Sequence, residues 1–315
     1  MDGDTRGHGS RVLDGLGRPP RRLLVLGGGA AALALLVDRG LRLDVPTPPA
    51  PPPTRRPAAD ERLLLAAVAD LDRTVAAEGQ VLSARSGDAL VRRLRAVSRE
   101  QLRVLRGRLT NAGVPTSVIA SRLSGSTTSA PLRTRSALAA LLATPVPGQW
   151  DALTTATADA RGLLAAAYAQ RLAAAVLLGH PVDTTTTPSP ARPAVVARTQ
   201  PLVYAFEVVA AQSTGSQRRR ADVTLADLNR LELAVSGAAS STPPGWALPF
   251  PVTTPVDARR LATTVLSSAV DGATTAAGDR PTAASIEDVA RWSANVQAIA
   301  VDWGVPLTAF PGATS

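Results

Sequence analysis

The side chains best suited to chemistry in this chain are its carboxylates and its two histidines, because it contains no cysteine. Among them Glu207 stands out, since it lies in the otherwise apolar stretch TQPLVYAFEVVAAQ, residues 199–212. Helical bundles that hold a pair of metal ions place carboxylates in such positions. The stretch therefore presents Glu207 as a candidate metal ligand.

The remaining ligands of such a site are missing. A site for a pair of iron ions in a helical bundle needs about four glutamates and two histidines, with two of the glutamates in Glu-x-x-His sequences. No Glu-x-x-His occurs here; His8 precedes an apolar segment, and His180 precedes a proline at a predicted helix end. The glutamates are Glu61, Glu78, Glu100, Glu207, Glu232 and Glu287. The sequence therefore excludes a histidine-supported di-iron site.

Two interpretations of Glu207 remain open. On a helical wheel it lies at the flank of the apolar stripe that contains Leu202, Phe206 and Val209. The favoured interpretation is a partly buried carboxylate paired with an arginine of a neighbouring helix, as buried charges usually are. The other is a ligand in a carboxylate-only site for Mg²⁺ or Ca²⁺. We therefore predict no metal site, with Glu207 as the one weak candidate.

The residues required for a nucleotide-binding loop or a catalytic triad are missing as well. Neither G-x-x-x-x-G-K-[ST] nor G-x-G-x-x-G occurs, so the sequence has no loop for binding nucleotide phosphates. His180 alone cannot complete a Ser-His-Asp triad. We therefore predict no catalytic residue, no cofactor-binding residue and no cofactor, which favours a protein that is not an enzyme.

The basic charge does not point to nucleic acid. The chain carries a net charge of +9, and all 34 of its basic residues are arginine. Proteins that bind single-stranded nucleic acid combine basic grooves with aromatic side chains for base stacking. Here the arginines are dispersed, and no aromatic residue is interleaved with the one dense cluster, Arg218–Arg220. We predict no nucleic-acid partner; attraction to an anionic membrane or wall surface explains the charge.

The N-terminus has the pattern of an export signal or membrane anchor. Residues 1–22 form a basic tail, which we expect to be cytoplasmic, and residues 23–37 form an uncharged apolar segment. The pair Arg21-Arg22 directly before this segment resembles a twin-arginine signal. A proline-rich linker, residues 38–57, follows as an extended stalk. We expect a single anchor in the cell membrane with an extracytoplasmic body, or export of the body after cleavage.

From residue 58 onward the apolar residues repeat with the helical period, which predicts an all-α fold. We divide this body into a helical region at 58–182, a linker at 183–193 and a second helical domain at 194–312. Eight helices are expected, in two up-and-down bundles of four that are packed together or share helices. One long helix is expected over about 150–179, and Asp60 is expected to cap the first helix.

Residues 194–312 resemble a ferritin-like domain of unknown function found in exported actinobacterial proteins. The resemblance rests on the stretches VYAFEVV, GWALPFPVTTPVDARRLA and RWSANVQAIAVDWGVPLTAFPG. It implies a ferritin-like four-helix bundle, in agreement with the helical periodicity. Relatives often carry Glu-His at the positions of Thr199 and Gln200. In the helical region that precedes this domain, some carry His-x-x-His at the positions of Ser98 and Gln101. The resemblance therefore implies the fold without the iron ligands.

The leading hypothesis is thus a non-enzymatic, envelope-anchored binding or scaffold module. Its partner would be an unknown protein or further copies of the chain, and its apolar N-terminal segment would contact the membrane. The alternative is a metal-binding ferritin relative, oxidase-like or storage-like, with an atypical carboxylate site. A third hypothesis is that a small apolar ligand binds between the helices.

Overall fold

The regular secondary structure of the described chain is helical throughout. The computed structural model describes residues 55–124, 132–183, 189–236, 245–273 and 281–313. Within these ranges there are ten helices and no strand, so the all-α prediction is confirmed. The helices are α1 (Glu61–Ala84), α2 (Ala89–Asn111), α3 (Thr116–Ser124), α4 (Arg135–Ala143), α5 (Gln149–Thr154), α6 (Ala158–Leu177), α7 (Arg192–Gln212), α8 (Gly215–Ser236), α9 (Pro255–Asp271) and α10 (Ala283–Asp302).

The predicted N-terminal segments cannot be compared with the structure. The basic tail, the apolar segment at 23–37 and most of the linker at 38–57 lie outside the described residues. Among the helices that are described, none has the length and apolarity required to span a bilayer.

The helices differ from the sequence prediction at two places in the chain. Helix α3 was not expected; its nine residues bury only one side chain, Ile119, so its apolar pattern is weak. The single helix expected over about 150–179 is broken into α5 and α6. The break is stabilised by Thr157, which caps α6 by accepting from the Ala160 N–H at 3.3 Å.

Asp60 contributes to the same break from far away in the sequence. It occupies the N-cap position of α1, but its side chain does not cap that helix. Instead the Asp60 carboxylate accepts hydrogen bonds from the backbone N–H of Thr157, at 3.3 Å, and from its hydroxyl, at 2.5 Å. The capping role predicted for Asp60 is therefore wrong, because a partner 97 residues away takes its side chain.

A first apolar core is built by α1, α2, α4 and α6, with α3 and α5 at its edge. Helix α2 contributes Leu94 and Leu105, and α6 contributes Leu164, all of them fully buried. Arg171 of α6 joins this core to the end of α4. Its guanidinium pairs with Asp70 of α1 and donates to the carbonyl oxygens of Leu141 and Thr144 at 2.8 and 3.0 Å. These bonds satisfy carbonyls that the end of a helix leaves without partners.

A second core is built by α7, α8, α9 and α10. Phe206 and Trp292 are fully buried in it. Phe206 packs edge-to-face against Trp303, with ring centroids 5.4 Å apart. Such aromatic pairs bury large areas and add a favourable geometric contribution.

Helix α10 belongs to both cores. Ile286, Ala290 and Ala294 lie on the face that packs into the first core, mainly against α6. Val289, Trp292 and Val296 lie on the face that packs into the second core. Residues Arg56–Ser315 accordingly cluster as one compact unit.

Candidate functional site

Glu207, the one candidate from the sequence, is an exposed side chain of α7. The buried face of α7 is centred on Leu202, Phe206 and Val209, and Glu207 follows Phe206 by about 100° around the helix. The expected partly buried carboxylate is therefore wrong. In the part of the chain that the structure describes, no group of three or more histidines and acidic residues could hold a metal ion.

Thr199 and Gln200, which stand where relatives in the ferritin-like resemblance often carry Glu-His, form hydrogen bonds to neighbouring helices. Thr199 is fully buried; its hydroxyl donates to the Val195 carbonyl at 2.8 Å and accepts from the Trp292 indole at 3.0 Å. The Gln200 amide donates to Glu232 Oε1 at 3.3 Å. These side chains tie α7 to α10 and to α8.

The structure also brings together a polar cluster that was not predicted from the sequence. Glu78 of α1, Ser98 and Gln101 of α2, and Gln170 of α6 are all at least 96% buried. The Ser98 hydroxyl donates to Glu78 Oε1 at 2.9 Å, and Gln101 Nε2 donates to Gln170 Oε1 at 3.3 Å. The spacing did hold a signal, since Glu78 continues the buried stripe of Leu64 and Leu71 at intervals of seven residues.

Burial raises the pKa of Glu78 to about 8, although the Ser98 hydrogen bond and the charges of Arg95 and Arg99 oppose the rise. Glu78 is therefore mostly protonated at neutral pH. A carboxyl group enclosed in this way cannot meet a substrate, so the cluster is part of the core and not a catalytic site.

A ligand-sized groove lies elsewhere, between α10, α8 and the end of α6. Its volume is about 490 Å³, within the range of roughly 300–1,000 Å³ typical of small-molecule sites. It is lined by residues of α10, of α8 and of the segment 176–183, and we call the last two its walls.

Hydrogen bonds hold both walls of this groove to α10. On the α8 side, the Trp303 indole donates to the Thr224 hydroxyl at 3.0 Å. On the other side, Asn295 Nδ2 donates to the Val182 carbonyl at 3.0 Å, and Arg291 donates to the Asp183 carbonyl at 2.9 Å. These bonds join both walls of the groove to α10 and to Trp303, the residue at its C-terminal end.

The lining of the groove combines acidic and apolar side chains. Its charged residues are Asp183, Asp227 and Asp302, with one arginine, Arg230. Its apolar lining comes mainly from Val176, Leu177, Val182, Leu231 and Ile299. The lining thus has a formal charge of −2 in a chain whose net charge is +9.

The three acids do not have equal surroundings. Arg230 pairs with Asp227 at 2.8 Å, whereas Asp183 and Asp302 form no ion pair within the described ranges. Burial raises the pKa of Asp302; Arg220 opposes this rise and Asp227 adds to it. A positive group in the groove would lie close to these carboxylates, so the electrostatics favour a cation.

Comparison of the chain with protein-family models, with curated proteins and with solved structures finds no match. The resemblance of residues 194–312 to a ferritin-like domain therefore rests on the sequence stretches that carry it.

Proposed function

We propose that the chain is a non-enzymatic binding protein of the cell envelope, with a ferritin-like helical domain over 194–312 that lacks a di-iron site. The groove beside α10 is its ligand site. The single observation that carries this proposal is the groove itself, whose size and lining suit a small ligand and whose walls are held in place by hydrogen bonds.

The lining indicates the chemical class of the ligand. Leu177, Leu231 and Ile299 offer apolar surface, and Asp183 and Asp302 offer negative charge that no described arginine pairs with. An amphipathic molecule with a short apolar body and one positive group fits both features. The openness of the groove to solvent suits reversible binding better than chemistry that requires water to be excluded.

Thermal unfolding of residues 56–315 with two matched probes tests the site. Octyltrimethylammonium, below its micelle-forming concentration, should raise the melting temperature, because a ligand that binds the folded state stabilises it. Octanesulfonate, with the same apolar chain and a negative group, should not. Equal effects of the two probes would contradict the charge argument.

A pair of tryptophan substitutions on α8 locates the binding. Ala234 is exposed and lines the groove, so Ala234→Trp should fill it and abolish the ammonium effect. Ala226 is exposed on the same helix and does not line the groove, so Ala226→Trp serves as the matched control. Stabilisation that survives Ala234→Trp would place the ligand elsewhere.

The location in the envelope is supported by the apolar segment at 23–37 and the arginine pair before it. Protease treatment of intact cells tests it, since an extracytoplasmic body should be digested while a cytoplasmic control protein survives. A body that is protected until the membrane is broken would end this part of the proposal.

The alternative of a metal-binding relative needs carboxylates that converge. Elemental analysis separates the two proposals, because the binding protein should contain no stoichiometric iron or manganese.

A further inference from the structure

A second, much smaller cavity lies inside the first core, between α1, α2, α4 and α6. Its volume is about 10 Å³, close to the minimum of roughly 10–15 Å³ that a single water molecule needs. Its polar lining includes Thr74, Glu78, Ser98, Gln101 and Gln170. It is separate from the groove beside α10, and its occupant does not depend on the ligand proposed there.

Three polar atoms of these lining residues have no hydrogen-bond partner among the described residues. They are Glu78 Oε2, Gln101 Oε1 and Gln170 Nε2. The residues that carry them are 1%, 1% and 2% exposed, so bulk water does not reach them. Buried polar atoms in folded proteins nearly always have a partner, either in the protein or in an ordered water molecule.

The donors and acceptors of the three atoms are complementary to water. Glu78 Oε1 already accepts from Ser98, which leaves the proton of the neutral carboxyl on Oε2 as a donor. Gln170 Nε2 is a second donor, because its partner oxygen accepts from Gln101 and this fixes the orientation of the amide. Gln101 Oε1 is an acceptor. Water can accept two hydrogen bonds and donate the third.

We propose that this cavity is a binding site for one water molecule, which joins Glu78 of α1, Gln101 of α2 and Gln170 of α6. A metal ion or an ammonium ion fits less well, because the Gln170 N–H would point at a positive charge. The water supplies the hydrogen bonds that the packing of these helices leaves unmade.

The arginines near the cavity do not compete with a bound water for Glu78. Arg95 and Arg99 of α2 act on Glu78 through space, without a hydrogen bond. Arg171 of α6 lines the cavity, but its guanidinium is bonded to Asp70 and to carbonyl oxygens near the end of α4. Among the described residues, no arginine therefore takes the place of the water as the hydrogen-bond partner of Glu78 Oε2.

The site also reaches the C-terminal tail. Gln101 Nε2 donates to the Ala309 carbonyl at 2.5 Å, and the neighbouring Leu307 and Phe310 pack against the first core. A water that fixes the Gln101 side chain therefore also fixes the contact between α2 and the tail. Removing the water should increase hydrogen exchange in the tail.

A high-resolution crystal structure of the protein tests the proposal directly. We expect one density peak within hydrogen-bonding distance of all three atoms, without the anomalous signal of a metal. An empty cavity, or a peak with such a signal, would overturn the assignment.

Relaxation dispersion of ¹⁷O-water counts long-lived internal waters in solution. Ala174 lines the cavity, so Ala174→Val should exclude the water, lower the count by one and increase exchange in the tail. Gln149→Met, which alters a buried glutamine that does not line the cavity, should leave the count unchanged. An unchanged count in a folded Ala174→Val protein would overturn the proposal.

Discussion

The indole N–H of Trp292 donates to the hydroxyl of Thr199 at 3.0 Å, and both side chains are fully buried. The same hydroxyl donates to the Val195 carbonyl at 2.8 Å. Thr199 thus accepts from α10 and donates within α7. Proteins with the ferritin-like domain that this region resembles often have glutamate at this position. Here Thr199 joins α7 to α10 through a neutral hydrogen bond.

Thr199→Val should destabilise the protein, because it keeps the shape of the side chain and leaves the buried Trp292 N–H without an acceptor. The expected loss is about 1–3 kcal/mol in the free energy of unfolding, measured by urea denaturation. Thr264→Val, at an exposed position of α9, should change little. Equal stabilities of the two variants would show that the Trp292 bond contributes nothing.

Glu78 should make stability depend on pH in the direction opposite to that of an ion-paired carboxylate. Its pKa is about 8 in the folded protein and 4.5 as the ordinary value, so between these values the folded state binds more protons than the unfolded state. The contribution of Glu78 to the free energy of unfolding should therefore be greatest below about pH 4.5. It should fall as the pH rises towards 8 and level off above that pH.

Glu78→Gln should remove most of that slope, since the amide has a similar shape and no charge. Urea denaturation between pH 5 and 9 measures it. Glu100→Gln changes an exposed glutamate and serves as the control, whose slope in this range should match that of the native protein. A native protein with no slope would contradict the burial of an ionisable Glu78.

Asp70→Asn should be among the more damaging single substitutions. It removes the charged partner of Arg171, whose side chain is only 10% exposed, and such losses typically cost about 3–5 kcal/mol. Loss of the exposed pair Arg103 and Glu100 should have no measurable effect. Thermal denaturation of Asp70→Asn and Arg103→Gln compares the two, and a similar melting temperature for both would refute the structural role of Arg171.

Glu207→Ala should leave both metal content and stability unchanged, because Glu207 is exposed and lies in no acidic cluster of the described residues. Elemental analysis of the purified native and variant proteins checks this. Stoichiometric iron or manganese in the native protein that disappears in the variant would favour the metal-binding alternative.

The all-α fold was predictable because helical periodicity is a local property of the sequence. The break between α5 and α6 was not, because its stabilisation depends on Asp60, 97 residues earlier in the chain. Glu78 could have been noticed from its place in the stripe of Leu64 and Leu71, whereas its neighbours Gln101 and Gln170 meet it only through tertiary packing.

The groove was beyond prediction for the same reason. Asp183, Asp227 and Asp302 come from a loop and two helices that are far apart in sequence, and no spacing rule connects them. Glu207 was predicted to be partly buried and is exposed. A position at the flank of an apolar stripe becomes buried only if a neighbouring helix covers it. On α7 that flank is left to solvent.

The sharing of α10 has a consequence for how the protein unfolds. Its Ile286 and Ala290 are buried in the first core, and its Val289 and Trp292 in the second. If one core opened alone, α10 would have to keep its shape with one of its two apolar faces in water. The halves on either side of residues 183–193 should therefore melt together, in one cooperative heat-absorption peak, although the sequence divides them.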